Sequence, residues 1–297
     1  MMEELEKLRD KIRNAHELQT VVKIMKTISA ANIREYGQAV ESLSKYNETI
    51  EMGLQVLMLN EPEALLTTEP VEEKRRLGAV IFGSDQGLAG RFNEQIAAYA
   101  IARMKEAGPR ERTALAVGER VVPMLEEAGQ PVEAHFSFSE DHMGLAQIMT
   151  DVFLKIEEWR GQKGIDRIVL FYNHPLSGSS FSPRMVNLFP LDLDWIRNLS
   201  EKKWMSRSLP TFSMEAAQLF SSLVRQYLFF LLYRAFVESL ASENASRLLA
   251  MQMAEKNIED HLKELTVQFN RQRQEAISEE LLDVVTGFEA LMGGEER

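Results

Sequence analysis

The chain has 297 residues, a length that admits one large or two small domains, each with a buried core. Its 34 Lys and Arg face 45 Asp and Glu, giving a formal net charge of -11, and an acidic balance of this kind argues against nucleic acid as the main partner. There is no cysteine, which removes disulfides, thiolate nucleophiles and cysteine-held metals from consideration.

The first ten residues, Met1 to Asp10, lack the basic patch and apolar run of a secretory signal, so a mature cytoplasmic protein is expected. From Leu5, apolar residues step by three and four through Leu8, Ile12, Ala15, Val22, Ile33, Tyr36, Val40, Leu43, Ile50, Leu54 and Leu57. This is a heptad seam, and Gln19, Lys26, Ser29 and Asn47 interrupt it with polar groups that fix register or leave room for a partner. No proline occurs before Pro62, and ~55 helical residues would reach roughly 80 Å, more than one compact core can enclose.

After Glu61-Pro62 and Thr67-Thr68-Glu69-Pro70, which read as a linker, short β-like runs alternate with helical ones. Strands are predicted over 77–82, 113–117, 134–138, 167–172 and 185–189, with helices over 94–107, 119–128 and 145–159. That alternation predicts a small α/β domain with a largely parallel sheet.

The loop Gly83-Ser84-Asp85-Gln86-Gly87-Leu88-Ala89-Gly90 invites comparison with a phosphate cradle. It ends Ala-Gly-Arg where a P-loop needs Gly-Lys-Ser/Thr, and its glycine spacing is wrong for a dinucleotide fingerprint. A glycine-shaped turn, with Ser84 or Asp85 capping the next helix, is the simpler reading.

Other chemistry is thin. His16, His135, His142, His174 and His261 lie without a two-histidine metal spacing, and no Gly-x-Ser-x-Gly elbow occurs, so no metal, cofactor or catalytic set is assigned. Asp192 and Asp194 read as a solvated face or a helix cap, and Ser177-Gly178-Ser179-Ser180 as a surface loop.

After Pro210-Thr211-Phe212-Ser213, with Ser213 the expected N-cap, a second long helix is predicted to Leu291, where Gly287 is the sole glycine and no proline occurs. The apolar run Tyr227 to Tyr233 is too short to cross a bilayer and reads as a buried stretch of this helix. Leu248, Met251, Ile258, Leu262, Leu265 and Phe269 keep one seam; Ile277, Leu281, Val284, Phe288 and Leu291 resume it after a phase slip. Roughly 75 residues give about 110 Å, so this helix outruns the first. Two such helices most simply bury their seams on each other, antiparallel. The organisation expected is a coiled-coil helix over 1–60, a linker over 61–76, an α/β domain over 77–205, a linker over 206–213 and a coiled-coil helix over 214–292. The fold class is thus an antiparallel coiled coil with an inserted small, Rossmann-like α/β domain.

Three separated motifs carry a family resemblance. The first is Lys11-Ile12-Arg13 with Thr20-Val21-Val22-Lys23-Ile24-Met25-Lys26 and Ser29-Ala30-Ala31. The second is Ser84-Asp85-Gln86-Gly87-Leu88-Ala89-Gly90-Arg91-Phe92-Asn93. The third runs from Glu238 to Arg247, with Met251, and then through Asn270 to Leu281 and Val285-Thr286-Gly287. Together they resemble the gamma subunit of F-type ATP synthases, nearly end to end. Departures from the family pattern fall at Asn32-Ile33, at Ser278 and over 174–204 and 227–233, which leaves open a divergent, alternative ATPase of the same class.

The resemblance implies a non-catalytic rotor shaft that couples ion flow through a membrane c-ring to ATP synthesis or hydrolysis in an alpha3-beta3 ring. It implies the alpha and beta subunits, epsilon and the c-ring as partners, and a peripheral position on the cytoplasmic face of a bacterial membrane. It also implies that Lys23, Met25, Lys26 and Arg247 face the beta-subunit lever, and that Arg273, Gln274, Ser278 and Glu280 make upper contacts. Val284, Val285, Phe288 and Leu291 would form an apolar tip in the collar of the ring. Two other readings stand beside it: a coiled-coil scaffold or adaptor unconnected with ATP, and a nucleotide-using enzyme built on the α/β insert.

Overall fold

The computed structural model describes residues 2–61, 76–108, 111–138, 142–176, 180–204 and 208–292. The Pro62 to Pro70 linker and most of the 177–180 loop lie outside the described residues, as do the side chains of Phe288 and Leu291. The elements in chain order are α1 (Met2–Asn60), β1 (Arg76–Phe82), α2 (Phe92–Glu106), β2 (Glu111–Val117), α3 (Val122–Glu127), β3 (Val132–Phe136), α4 (His142–Gln162), β4 (Arg167–Pro175), β5 (Phe181–Phe189), α5 (Leu193–Glu201) and α6 (Ala216–Met292). The chain divides into two compact units, one of Met1–Ile28 with Leu248–Arg297 and one of Ser29–Arg247.

In the unit of residues 29–247 the strands form one sheet of order β3-β2-β1-β4-β5. β1 pairs in parallel with β2 and β4, β2 in parallel with β3, and only β5 runs antiparallel, against β4. The central strands read as continuous apolar runs because both faces are covered. Side chains alternate across the pleat, so Val80 and Phe82 join α4 and α6 on one face while Ala79 and Ile81 join α2 and α3 on the other. Gly78 sits in β1 because Trp159 and Ile165 close over it; a Cβ there would lie 2.8 Å from the Trp159 ring.

The parts of α1 and α6 in this unit lie antiparallel. Asn32 donates to Asn244 at 3.3 Å, Tyr46 to Gln226 at 3.4 Å, and Gly53 faces Leu223, so partner number falls as residue number rises. The heptad reading of α1 holds in detail here: Tyr36, Ile50, Leu54 and Leu57 are buried. The aromatic run of α6 buries Leu228, Phe230 and Leu232 and leaves Tyr227, Phe229, Leu231 and Tyr233 half-buried. Leu228 and Leu232 pack toward the sheet and α4, Phe230 packs on Ile50, Leu54 and Leu199, and Tyr227 stacks on Trp195 with centroids 4.3 Å apart.

Three local details differ from expectation. β3 begins two residues earlier than predicted and β5 four residues earlier. Ser213 does not cap α6; the first turn closes on the Glu215 carbonyl, which accepts from the Leu219 N–H at 3.0 Å. α5 was not predicted. Leu193, Ile196 and Leu199 stand at helical spacing over only nine residues, and the helix is started by Asp192, whose carboxylate accepts from the Asp194 and Trp195 N–H groups. The helix-cap reading of that acidic pair is the one the structure bears out.

In the unit of residues 1–28 with 248–297, Leu8, Ala15, Met251, Leu262 and Leu265 are buried and Lys26 donates to Glu255. The polar seam position Lys26 therefore has a counterpart of opposite charge rather than an apolar one.

Candidate functional site

The glycine loop between β1 and α2 is held from within. Ser84 N–H donates to Asn93 Oδ1 at 2.9 Å and Asn93 Nδ2 donates to Ser84 Oγ at 2.8 Å, which closes the loop onto the first turn of α2. Asp85 accepts from the Glu119 N–H at 2.7 Å with one oxygen and from the Phe138 N–H with the other. It caps the helical turn after β2, not the helix that follows it in sequence as expected, and it ties three loops at one end of the sheet. N-cap Arg91 of α2 makes no side-chain capping bond. The glycines serve close approach: a Cβ on Gly83 would meet Val121 at 2.6 Å, and Gly118, at φ 102°, would meet Gly83 backbone at 2.7 Å. The Gly83 and Ser84 N–H groups are spent within the protein, on the Val117 carbonyl and on Asn93.

α6 grips the same loop with a row of buried polar residues, within the unit of residues 29–247. Ser246 Oγ donates to the Ala89 carbonyl at 2.6 Å and Arg247 Nε to the Gly87 carbonyl at 3.4 Å, while Arg247 also pairs with Glu243. One turn earlier, Ser242 Oγ donates to the Asn173 carbonyl at 2.8 Å. Earlier still, Glu238, 1% exposed, takes Arg234 and His174, each at 2.7 Å. Burial alone would push the Glu238 carboxyl up, yet hydrogen bonds from Arg234 and His174 hold it below the ordinary carboxylate value. Burial and the Glu238 charge together push the Tyr172 hydroxyl up to about 12. This clasp sets residues 238–247 against Gly87 and Ala89 of the loop and Asn173 and His174 of β4, and so joins two of the motifs noted in the sequence.

The clasp also relocates one residue. Arg247, expected from the resemblance to face a partner, is 3% exposed and turned inward onto Glu243 and Gly87. Glu238, Ser239, Ser242, Glu243, Asn244, Ser246 and Arg247 are all buried, so this polar stretch of α6 is packed inside the unit. The scattered histidines concealed it, because His174 finds Glu238 only through the fold.

The remaining expected contact residues belong to the unit of residues 1–28 with 248–297. Lys23 is exposed, Met25 and Lys26 are half-buried, and Arg273, Gln274, Ser278 and Glu280 are all exposed. Toward the end of α6 large apolar residues stand exposed among Glu280, Asp283 and Thr286: Leu281 is 61% exposed, Leu282 64%, Val284 66% and Val285 52%. On α1, Leu18, Val21, Ile24 and Ile28 are exposed as well. Apolar surface of this density usually marks an interface. Among the described residues no cluster of His, Asp or Glu is placed to hold a metal ion, and no helix is long and apolar enough to cross a membrane.

Comparison with known proteins follows the same lines. The family model described as ATP synthase matches residues 4–291. The ATP synthase gamma chain of Sulfurihydrogenibium sp. (strain YO3AOP1) is 29% identical over 289 residues, covering 96% of this chain and 97% of that one. That of Neisseria meningitidis serogroup C (strain 053442) is 28% identical over 290 residues, covering 95% and 97%. Among solved structures, a chain of the Euglena gracilis mitochondrial ATP synthase, OSCP/F1/c-ring, rotational state 3, matches with a TM-score of 0.66 at 18% identity, over 100% of this chain and 97% of that one. A chain of the Tetrahymena thermophila mitochondrial ATP synthase central stalk and c-ring matches with a TM-score of 0.56 at 20% identity, over 79% and 99%. At such identities the structural likeness speaks for the fold, while the family match speaks for descent along almost the whole sequence. The chain belongs to the ATP synthase gamma family.

Proposed function

We propose that the chain is the central shaft of an F-type ATP synthase or ATPase, turning inside an alpha3-beta3 ring and joined at its base to epsilon and a membrane c-ring. Ion flow turns the c-ring and the shaft with it, and the shaft's unequal surface favours a different conformation in each beta subunit. Coupling of this kind needs contact energies that differ between states, which an asymmetric axle within a threefold ring supplies at every angle. The observation that carries the reading is the exposed apolar end of α6, Leu281 to Val285, beside the polar contacts Arg273, Gln274, Ser278 and Glu280.

In this reading Lys23, Met25 and Lys26 face the lever of beta, and the α6 end, with Phe288 and Leu291, turns in the collar. Arg247 serves the same surface indirectly by holding the glycine loop. The chain makes and breaks no bonds, a reading supported by the loop after β1, which ends Ala-Gly-Arg and lacks the Gly-Lys-Ser/Thr of a P-loop. It works as a peripheral protein on the cytoplasmic face of a bacterial membrane, attached through its partners.

The test is removal of the end. A complex reconstituted with the chain cut after Ser278 is expected to assemble poorly or to lose ATP-driven ion pumping. Undiminished pumping would sink the proposal, as would ATP turnover by the isolated chain.

A further inference from the structure

On the face of the sheet opposite α2, the unit of residues 29–247 contains a cavity of about 310 Å³ between α4, β5 and α6. Its walls are apolar: Phe153, Ile156, Leu188, Phe220, Val224 and Leu228. At the mouth stand two arginines and one carboxylate. Arg225 is paired with Glu157 at 3.0 Å, which neutralises that carboxylate. Arg160 has no ion-pair partner among the described residues; its guanidinium lies 3.7 Å over the Phe189 ring. Burial pulls the Arg160 pKa down, and the Glu157 charge only partly offsets it. A surplus positive charge at the rim of an apolar hole is unusual on a chain of net charge -11. It is also a charge that neither the clasp nor the exposed helix end uses.

We propose that this cavity binds a free single-chain amphipathic carboxylate, its head group on Arg160 and its tail among Phe153, Ile156, Leu188 and Leu228. The volume selects the size, since clefts for small molecules run from about 300 to 1,000 Å³ and this one lies at the lower end. The planar guanidinium selects the head, because its fork matches a carboxylate with two parallel hydrogen bonds. The aromatic ring beneath Arg160 holds the fork in place before the ligand arrives, which lowers the entropy cost of binding.

The experiment is calorimetric titration of the full chain with decanoate below its micelle concentration, beside decanol and hexanoate. Decanoate is expected to bind saturably at one site, and the other two more weakly, one lacking the charge and the other the tail. Arg160→Gln is expected to weaken decanoate by about tenfold or more, the worth of one charge-assisted pair. Arg160→Lys is expected to restore part of that loss, and Ser221→Trp, placed at the mouth, to block entry with an unchanged unfolding midpoint.

Decanol binding as tightly as decanoate would overturn the proposal without reference to any variant, as would full affinity in folded Arg160→Gln. Capture of anionic phospholipid vesicles with no binding of monomeric decanoate would overturn it too, and would assign the face to a membrane surface.

Discussion

Two regions of the chain treat polar and apolar side chains in opposite ways. In the unit of residues 29–247, α6 buries Glu238, Glu243 and Arg247 and satisfies them with Arg234, His174, one another and the loop carbonyls. In the unit of residues 1–28 with 248–297, α6 leaves Leu281, Leu282, Val284 and Val285 in solvent. The same helix, with the same backbone geometry, is an internal strut in one region and an open surface in the other. The difference teaches where to look for function. A buried polar row tied to groups of the same unit is spent on architecture, whereas an apolar row without cover is held ready for something outside the chain.

The contrast is broken most sharply by cutting after Ser278. The isolated chain is expected to keep its urea midpoint almost unchanged, because residues 279–286 are all exposed, while ion pumping by the reconstituted complex is lost. Equal damage to both would mean that the end is part of the fold.

Arg247→Ala tests the other side. Breaking a buried ion pair by removing one partner costs about 3–5 kcal/mol, so a large drop in unfolding free energy is expected by urea titration. A loss below about 1 kcal/mol, the range of an exposed pair, would place Arg247 on the surface after all.

Gly118→Ala probes the loop geometry that the clasp stabilises. At φ 102°, with Gly83 backbone 2.7 Å from the added Cβ, the substitution is expected to cost about 1–3 kcal/mol or more. An unchanged thermal midpoint would show that the three loops tied by Asp85 can move apart freely.

Acid sharpens the comparison further. The Glu238 carboxyl is held below its ordinary value in the folded chain, so its stabilisation is present at neutral pH, above the unfolded value. That stabilisation is lost as pH falls through the folded value. Stability measured downward from about pH 5 is expected to fall less steeply in Glu238→Gln than in the natural chain, from a lower starting point. Parallel slopes would remove Glu238 from the account. The smallest effect belongs to the exposed charges: Lys23→Gln and Arg273→Gln are each expected to change the stability of the isolated chain by about 0.5 kcal/mol or less. A larger change would reveal an internal partner.

How much of this could be read in the sequence depends on range. The central strands were legible because a strand buried on both faces writes itself as an unbroken apolar run, as Leu77 to Phe82 does; the edge strands β3 and β5, only partly covered, carry mixed sequences, and their starts were placed two and four residues late. The α1 seam was legible because Tyr36, Ile50, Leu54 and Leu57 repeat at helical spacing. The clasp was not. Whether Arg247 is a surface charge or a buried tie is decided by Gly87, 160 residues away, and nothing local to α6 records that partner. Asp85 shows the same limit at shorter range. Its capping role was anticipated, but the turn it caps begins at Glu119, on the far side of α2 and β2. Short α5 does carry local signals, the cap Asp192 and the spacing of Leu193, Ile196 and Leu199, but two turns of apolar spacing are too short to tell from a loop by pattern alone.

If the chain is the rotor shaft proposed above, it turns while the alpha3-beta3 ring hydrolyses ATP, and that motion can be watched. The chain has no cysteine, so a single one introduced at Gly161, where an added Cβ meets nothing within 4 Å, gives a unique attachment point. With the alpha3-beta3 ring fixed to a surface and a bead on that cysteine, adding ATP is expected to drive stepwise rotation in one direction. A bead that stays still while the ring hydrolyses ATP would contradict the account.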